Sequence, residues 1–298
     1  MDVKQVETFL EVMKRGSFTA AAEQLGYAQS TITGHIRQLE EYLSVQLFER
    51  TSKINRPTSG AHAFLPYARE FLLVRENALN AMLAESQQMS GEIVVGTSET
   101  VCITSLAEPL AAFSSAHPGV NLTIIMIDCT EVSRMLRQNE IDLAFFTGEP
   151  LKEEGLETLA LRWEPMVLTF QKGRFPSPAA LTPEDLRKEH YLVSTRGCVF
   201  RTLLERYFFA RSSRLPHMMD VGSMQVVKNL CACNLGLAFI PRYAVERELE
   251  DGTLESMQLR GVEEKSIATQ LVIHCNKVRT PAMKVLVERL DHSLLPRR

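Results

Sequence analysis

Apolar residues at helical spacing open the chain, and Val3, Val6, Phe9, Leu10 and Met13 predict a first amphipathic helix. Phe18, Ala21, Ala22 and Leu25 predict a second, in which the small residues Ala20 to Ala22 let another helix approach and Gly26 supplies a left-handed cap. A third carries Ile32, Ile36 and Leu39 on one side and Ser30, Thr31, Thr33, His35 and Arg37 on the other. Two short helices separated by a tight break, the second with a polar start, make the pattern of a helix-turn-helix that lies in a DNA major groove. Tyr42, Leu43, Leu47 and Phe48 extend this core towards a two-stranded wing around residues 50–56, after which Pro57 blocks the strand and Thr58 can cap the next helix.

From Ser59 to about Met89 the apolar set Phe64, Leu65, Ala68, Phe71, Leu72, Ala78, Leu79, Met82 and Leu83 is again helical, with no glycine after Gly60. A helix of roughly 30 residues is about 45 Å long. Such a rod cannot bury its stripe within a small domain, which predicts pairing with a second copy; packing on its own chain is the other reading. Ser90 and Gly91 end it, and strands then alternate with helices: strands over 92–99, 121–128 and 142–148, helices over 105–119 and 131–140. LETLALRW and EPMVLTFQK, residues 156–172, read as two strands crossing into another lobe. There the alternation repeats, from a helix started by Thr182, Pro183 and two first-turn acids to the strand LGLAFIP, before IATQLVIHC and MKVLVERLDHSLL return to the first lobe. The pattern predicts parallel sheets with helices on their faces. It gives an α+β multidomain chain: a winged helix-turn-helix over 1–58, a linker helix over 59–89, and a two-lobed α/β unit over 91–298, with lobe I at 91–162 and 266–298 and lobe II at 163–265.

Charge and composition narrow the chemistry. A chain of 298 residues that is 45% hydrophobic and 23% charged is ordinary for a globular protein, and a net charge of -3 excludes the strongly basic body of a nonspecific nucleic-acid binder. Positive charge is local instead. No acid lies between Arg50 and Arg69, so Arg50, Lys53 and Arg56 form a phosphate-facing wing edge, an ordinary solvated loop being the plainer alternative. On the third helix Gln29, Ser30, Thr31, Thr33, His35 and Arg37 are the candidates for bases and phosphates. Gln29 can pair with an adenine through two hydrogen bonds and Thr31 can offer its methyl to thymine, although Ser and Thr also cap helices anywhere.

The flanking residues add to this. Phe9 and Leu10, then Gly16, Ser17, Phe18, Ala21, Ala22 and Leu25, then Gln29, Ser30, Ile36, Leu39 and Glu40, and finally Leu47, Phe48, Glu49, Arg50 and Thr58 together resemble the LysR-type family of bacterial transcriptional regulators. Three departures stand out: Gly34 where the family often has Arg, Pro57 where Leu is usual, and Gly60 and Ala61 in inverted order. The resemblance implies a regulator of promoter DNA at an imperfect palindrome. Its C-terminal effector domain would be periplasmic-binding-protein-like, of type II. It also implies a homodimer through the linker helix, a homotetramer as a dimer of dimers, and room for RNA polymerase as a further partner.

In open parallel sheets, ligands bind where strands end and helix N-termini offer free N–H groups. Those ends hold Thr97, Ser98 and Thr100, then Thr147, in the first lobe, and Ser194, Thr195, Cys198 and Ser223 in the second. Small hydroxyls beside helix starts suit a small anionic metabolite, and Arg201 reads either as a carboxylate anchor or as an ion-pair residue. Cys198 begins a helix, where a thiolate is favoured, but residues 199–214 hold no resolving cysteine, so a buried or ligand-facing thiol is expected. The six cysteines and seven histidines lack zinc spacing, and no nucleophile elbow, metalloprotease helix or glycine-rich phosphate loop is present. No cofactor, no metal and no enzymatic activity are therefore expected. The N-terminus holds no continuous apolar run, which points to the cytoplasm and away from a membrane. The rival is a cytoplasmic small-molecule binding protein whose N-terminal helices make protein contacts only. Binding to a palindromic promoter fragment with a steep salt slope separates the two.

Overall fold

The structure, a computed structural model, describes residues 1–51, 54–85, 89–194, 197–211, 215–262, 265 and 267–294, without the side chains of residues 50, 51, 54, 55, 80, 83–85 and 292–294. The chain forms two compact units, residues 1–86 and 87–298.

In the first unit, the Gln5 side chain accepts the Asp2 N–H at 2.8 Å where α1 (Val3–Arg15) begins, and Gly16 ends that helix at φ 65°. α2 (Phe18–Leu25) starts with the Ser17 hydroxyl accepting the Ala20 N–H at 3.3 Å. After it comes α3 (Gln29–Leu43). Val6, Phe9, Ile32, Ile36, Leu39 and Leu47 are buried where the three helices meet, and the Phe9 ring lies 5.9 Å from Phe48 and 5.2 Å from Phe64. Glu40 on α3 accepts the N–H groups of Leu47 and Phe48 at 2.8 and 3.1 Å, tying down the start of the wing, where β1 (Phe48–Thr51) pairs antiparallel with β2 (Ile54–Pro57).

α4 (Ser59–Glu85) comes next, with Thr58 accepting the Ala61 N–H at 3.2 Å and donating to Gln46 O at 2.7 Å. The inverted Gly60 and Ala61 pair has a steric reason. A Cβ on Gly60 would stand 2.5 Å from Val45 Cγ1 and 3.3 Å from Gln46 O, while Ala61 is wholly buried. Pro66 lies inside the helix without breaking it, although it lacks the N–H that His62 O would accept. Ala61, Ala68 and Leu73 are buried and Arg75 pairs with Glu7 on α1 at 3.5 Å. Packing on its own chain thus accounts for one face only: Tyr67, Val74, Leu79 and Met82 stand 54–68% exposed.

The second unit begins with β3 (Gly91–Thr97) and α5 (Glu99–Val101), which runs through a π turn at Cys102–Leu106 into α6 (Ala107–Ala116). Then come β4 (Val120–Met126), α7 (Val132–Arg137), β5 (Leu143–Gly148), β6 (Leu156–Trp163), β7 (Met166–Gln171), α8 (Pro183–Arg187) and β8 (His190–Val193). The chain continues through α9 (Val199–Phe209), β9 (His217–Asp220), α10 (Met224–Ala232), β10 (Leu237–Pro241), α11 (Glu246–Glu250), β11 (Leu254–Met257), β12 (Ala268–His274) and α12 (Pro281–Leu294). Two sheets form, in the orders β4-β3-β5-β12-β6 and β11-β7-β10-β8-β9, and each is the centre of a lobe. β3, β4 and β5 are parallel, as are β8, β9 and β10. The expectation of wholly parallel sheets needs correction at the crossings. β12 runs antiparallel to β5 and β6, and β7 antiparallel to β10 and β11, because β7 and β12 are the strands that the chain enters on crossing from the opposite lobe.

Two further differences have local causes. The helix expected from residue 105 begins at Glu99, and the π turn falls just before Pro109, which has no N–H to offer the preceding turn. α11 and β11 are only five and four residues long, too short for periodicity to reveal. Phe145 and Leu271 are fully buried in one lobe, Phe170 and Tyr191 in the other. Among the described residues no helix is long and apolar enough to cross a membrane.

Candidate functional site

The start of α3 follows Ala28, whose side chain cannot cap. Gln29, Ser30, Thr33 and Arg37 are exposed, while Thr31 and His35 are half-buried. The Thr33 hydroxyl donates back to Gln29 O at 3.0 Å, and Arg37 Nε donates to Glu41 at 2.9 Å. His35 serves the packing of the head, since its Nδ1 lies 2.9 Å from Thr8 Oγ1 on α1 and its ring meets Tyr27 edge-on at 5.6 Å. One ring nitrogen is therefore engaged, and the other is what His35 can offer a partner. On the wing, Arg56 is exposed and pairs in register with Glu49, whereas Lys53 and the Arg50 side chain lie outside the described residues.

In the second unit, most of the hydroxyls expected to face a ligand have partners within the chain. Thr97 donates to Phe145 O at 2.7 Å and is wholly buried. The Thr147 hydroxyl sits between Tyr243 Oη and Thr269 Oγ1, 2.7 Å from each. Ser223 Oγ donates to Glu99 Oε1 at 2.7 Å, and the neighbouring Met224 N–H donates to Glu99 Oε2 at 3.0 Å. Thr100 is buried and its carbonyl accepts the Thr104 hydroxyl, while Ser98 and Ser194 are half-buried. Thr195 lies outside the described residues. Arg201 is held by Glu205 at 2.8 Å and by Asp220, with its side chain 11% exposed; the hydrogen bond it donates to Glu205 leads the effects that raise its pKa.

Cys198 is half-buried at the start of α9, and a second thiol approaches it from the other lobe. Burial first, then the neighbouring Cys198 and Asp128, push the Cys129 thiol up to about 11, against a hydrogen bond from the Val199 N–H. That is the opposite of a poised thiolate. The expectation that residues 199–214 supply no partner is correct along the chain, but the neighbour comes from lobe I. All six cysteines are free, and among the described residues no group of three or more His, Cys, Asp and Glu is placed to hold a metal.

The strand ends of the two lobes thus face each other, joined by Glu99 with Ser223 and Met224, by Thr147 with Tyr243, and by Glu149 with Arg206 at 3.2 Å. At the crossing between β6 and β7, Glu164 is 3% exposed and pairs with Arg162 at 2.9 Å. Burial raises its pKa against the lowering effects of Thr269 and Arg162. Glu99, Cys129, Tyr243, Glu164 and Thr269 were all missed by reasoning from the sequence. Glu99 stands directly after Thr97 and Ser98, so the end of β3 was the signal that pointed to it.

Comparison with known proteins agrees with this arrangement. The family model described as a bacterial regulatory helix-turn-helix protein, lysR family, matches residues 3–62, and that of the LysR substrate binding domain matches residues 86–294. The chain is 28% identical over 301 aligned positions to the uncharacterised HTH-type transcriptional regulator YfiE of Escherichia coli strain K12, covering 99% of each chain. Among solved structures, a full-length OxyR variant from Pseudomonas aeruginosa superposes with a TM-score of 0.72 at 20% identity, covering 97% of this chain and 94% of that one. Full-length CbnR, complexed with its target DNA, gives 0.59 at 22% identity, covering 98% of this chain and 100% of that one. These structural likenesses bear on the fold.

Proposed function

This chain belongs to the LysR family of bacterial transcriptional regulators, with a helix-turn-helix domain for DNA and a C-terminal domain for a small-molecule effector, and from that premise we propose a division of roles among its residues. Gln29, Ser30, Thr31 and Thr33 read base edges in the major groove, and Arg37, Arg50, Lys53 and Arg56 meet phosphates. His35 holds α3 against α1 and offers its remaining nitrogen. The effector, a small anionic metabolite, lies between the strand ends of the two lobes against Ser98, Thr100, Ser194, Thr195, Cys198 and Ser223. Thr97, Thr147 and Arg201 shape that cleft through their internal bonds. The exposed apolar residues of α4 pair two copies and set two reading heads on one palindrome. The same reading makes the chain a cytoplasmic protein without catalytic activity.

Effector binding changes how the two lobes meet, and it shifts DNA binding only by as much as its affinity differs between the two arrangements. The observation that carries the proposal is the polar, exposed start of α3 on a fully packed three-helix core. Fluorescence anisotropy with promoter fragments at several salt concentrations, with and without carboxylate metabolites, tests it. The expected result is a palindrome-specific complex with a steep salt slope whose affinity one metabolite class alters. Equal, weak binding to all fragments would contradict it.

A further inference from the structure

Of the two glycines inside the described helices, packing requires Gly60, against Val45 and Gln46, but does not require Gly34. Gly34 lies in the interior of α3 with no left-handed φ, and a Cβ built on it would meet nothing within 4 Å. A glycine in a helix interior lowers the folding constant about four- to fivefold relative to alanine. No contact within the chain offsets that loss. Gly34 stands on the side of α3 opposite Ile32, Ile36 and Leu39, one turn after Ser30 and one turn before Gln38, both of which are exposed. The long side chains beside it are engaged elsewhere: Arg37 donates to Glu41 at 2.9 Å, and Gln38 accepts from Gln5 on α1 at 2.9 Å. The outward side of α3 therefore carries a bare dent at its centre.

We propose that this dent receives the C5-methyl group of a thymine, so that Gly34 fixes a T·A pair at one position of each half-site. The proposal rests on the reading of α3 as the helix that enters the major groove. Bases form the floor of that groove and phosphates its rims, so the centre of the outward side faces bases. Gly34 has no side chain to donate or accept, and its backbone groups belong to the helix ladder. What it offers is space. Among the bases only thymine projects a methyl group into the major groove, and that group is recognised by apolar contact alone. A Cβ at position 34 would occupy the same volume and hold the helix away from the base.

The full-length protein is first used to select duplexes from a randomised pool, and each thymine of the selected operator is then replaced singly by uracil, which lacks only the methyl group. One replacement in each half-site should weaken wild-type binding about fourfold, the ratio that corresponds to one buried methyl group. In Gly34→Ala the thymine operator should lose at least the same factor, and the same replacement should no longer weaken binding, because methyl and Cβ compete for one space. The head of this variant should meanwhile gain about four- to fivefold in its folding constant, which separates weaker binding from unfolding. If Gly34→Ala binds the thymine operator as tightly as the wild type, the proposal is overturned. Equal sensitivity to uracil in both proteins overturns it too, being the result expected if Thr31 alone meets the methyl group. The scan on the wild type needs no variant, and indifference to every replacement is a third contrary result. Selection itself separates the two levels: a preferred operator with a failed scan leaves α3 as the reading helix, while a pool that yields no preferred sequence removes the reading on which the proposal rests.

Discussion

The start of α3 and the cleft between the lobes treat polar side chains in opposite ways. On α3, Gln29 and Ser30 face water, and the Thr33 hydroxyl returns only to its own helix. In the cleft, Thr97, Thr147, Ser223 and Arg201 are all bonded to other parts of the chain. The difference comes from the partner each region meets. A duplex brings its own dense array of donors, acceptors and charge, so a reading helix can leave its groups hydrated until contact. A sensing cleft closes on itself even without its ligand, and a buried polar group left unpaired there costs about 1–3 kcal/mol. Its groups therefore need partners within the protein, and any ligand entering the cleft would have to compete with them.

The largest expected effect separates the two regions as folding units. Phe9 is wholly buried against Phe48 and Phe64. Phe9→Ala should cost about 3–5 kcal/mol in the head, abolish promoter binding, and leave the unfolding transition of residues 87–298 in place by calorimetry. A second transition that moved with the first would mean that the two regions are not independent. Next come two substitutions with opposite signatures. Gln29→Ala should lose about 1–3 kcal/mol of preference at one base pair of each half-site while changing stability by under about 0.5 kcal/mol. Thr147→Val should lose about 1–3 kcal/mol of stability, because the Tyr243 hydroxyl and Thr269 lose a shared partner, and should leave base preference unchanged. Selection from a randomised operator pool together with chemical denaturation measures both, and swapped signatures would erase the contrast.

This contrast also explains what the sequence could reveal. Ile32, Ile36 and Leu39 at helical spacing define which side of α3 is buried, so its polar side could be read directly. Among the strands β5 was equally legible, because it is buried along its whole length and Leu143 to Phe146 show as an uninterrupted apolar run. The cleft was not. Ser223 and Arg201 look like ligand groups on their own helices, and the carboxylates that engage them come from Glu99, Asp220 and Glu205, of which Glu99 is more than a hundred residues away from Ser223 in the chain. Periodicity reports which side of an element is buried but not which distant side chain meets it. His35 shows the same limit within the head, since its bond to Thr8 depends on how α1 crosses α3.

A smaller effect belongs to the crossing between the lobes. Burial raises the Glu164 carboxyl above its ordinary value of 4.5, so the folded protein favours the protonated form more than the unfolded chain does. Stability from this group is full below 4.5 and is lost as pH rises from there through the folded-state pKa, the reverse of an ordinary salt-bridged carboxylate. In the Glu164→Gln variant that decline should disappear, while the head, which holds no part of this pair, keeps its own pH profile. Unfolding measured across that window checks the sign, and a variant whose stability still falls by the same amount would assign the decline to another group.

The smallest expected change in stability lies at Arg37. Its ion pair with Glu41 has side chains 70% and 62% exposed, and such i,i+4 pairs are worth about 0.3–0.5 kcal/mol. Arg37→Ala should therefore leave the unfolding midpoint almost where it is. If the outward side of α3 meets phosphate, the same substitution should weaken binding to all operator sequences and reduce the salt slope by about one. Stability and binding would then be uncoupled at one residue, as expected for a group whose partner lies outside the chain. An unchanged slope would make Arg37 a solvated ion pair and leave the phosphates to the wing, where Arg56 is the exposed cation next in line to be tested in the same way.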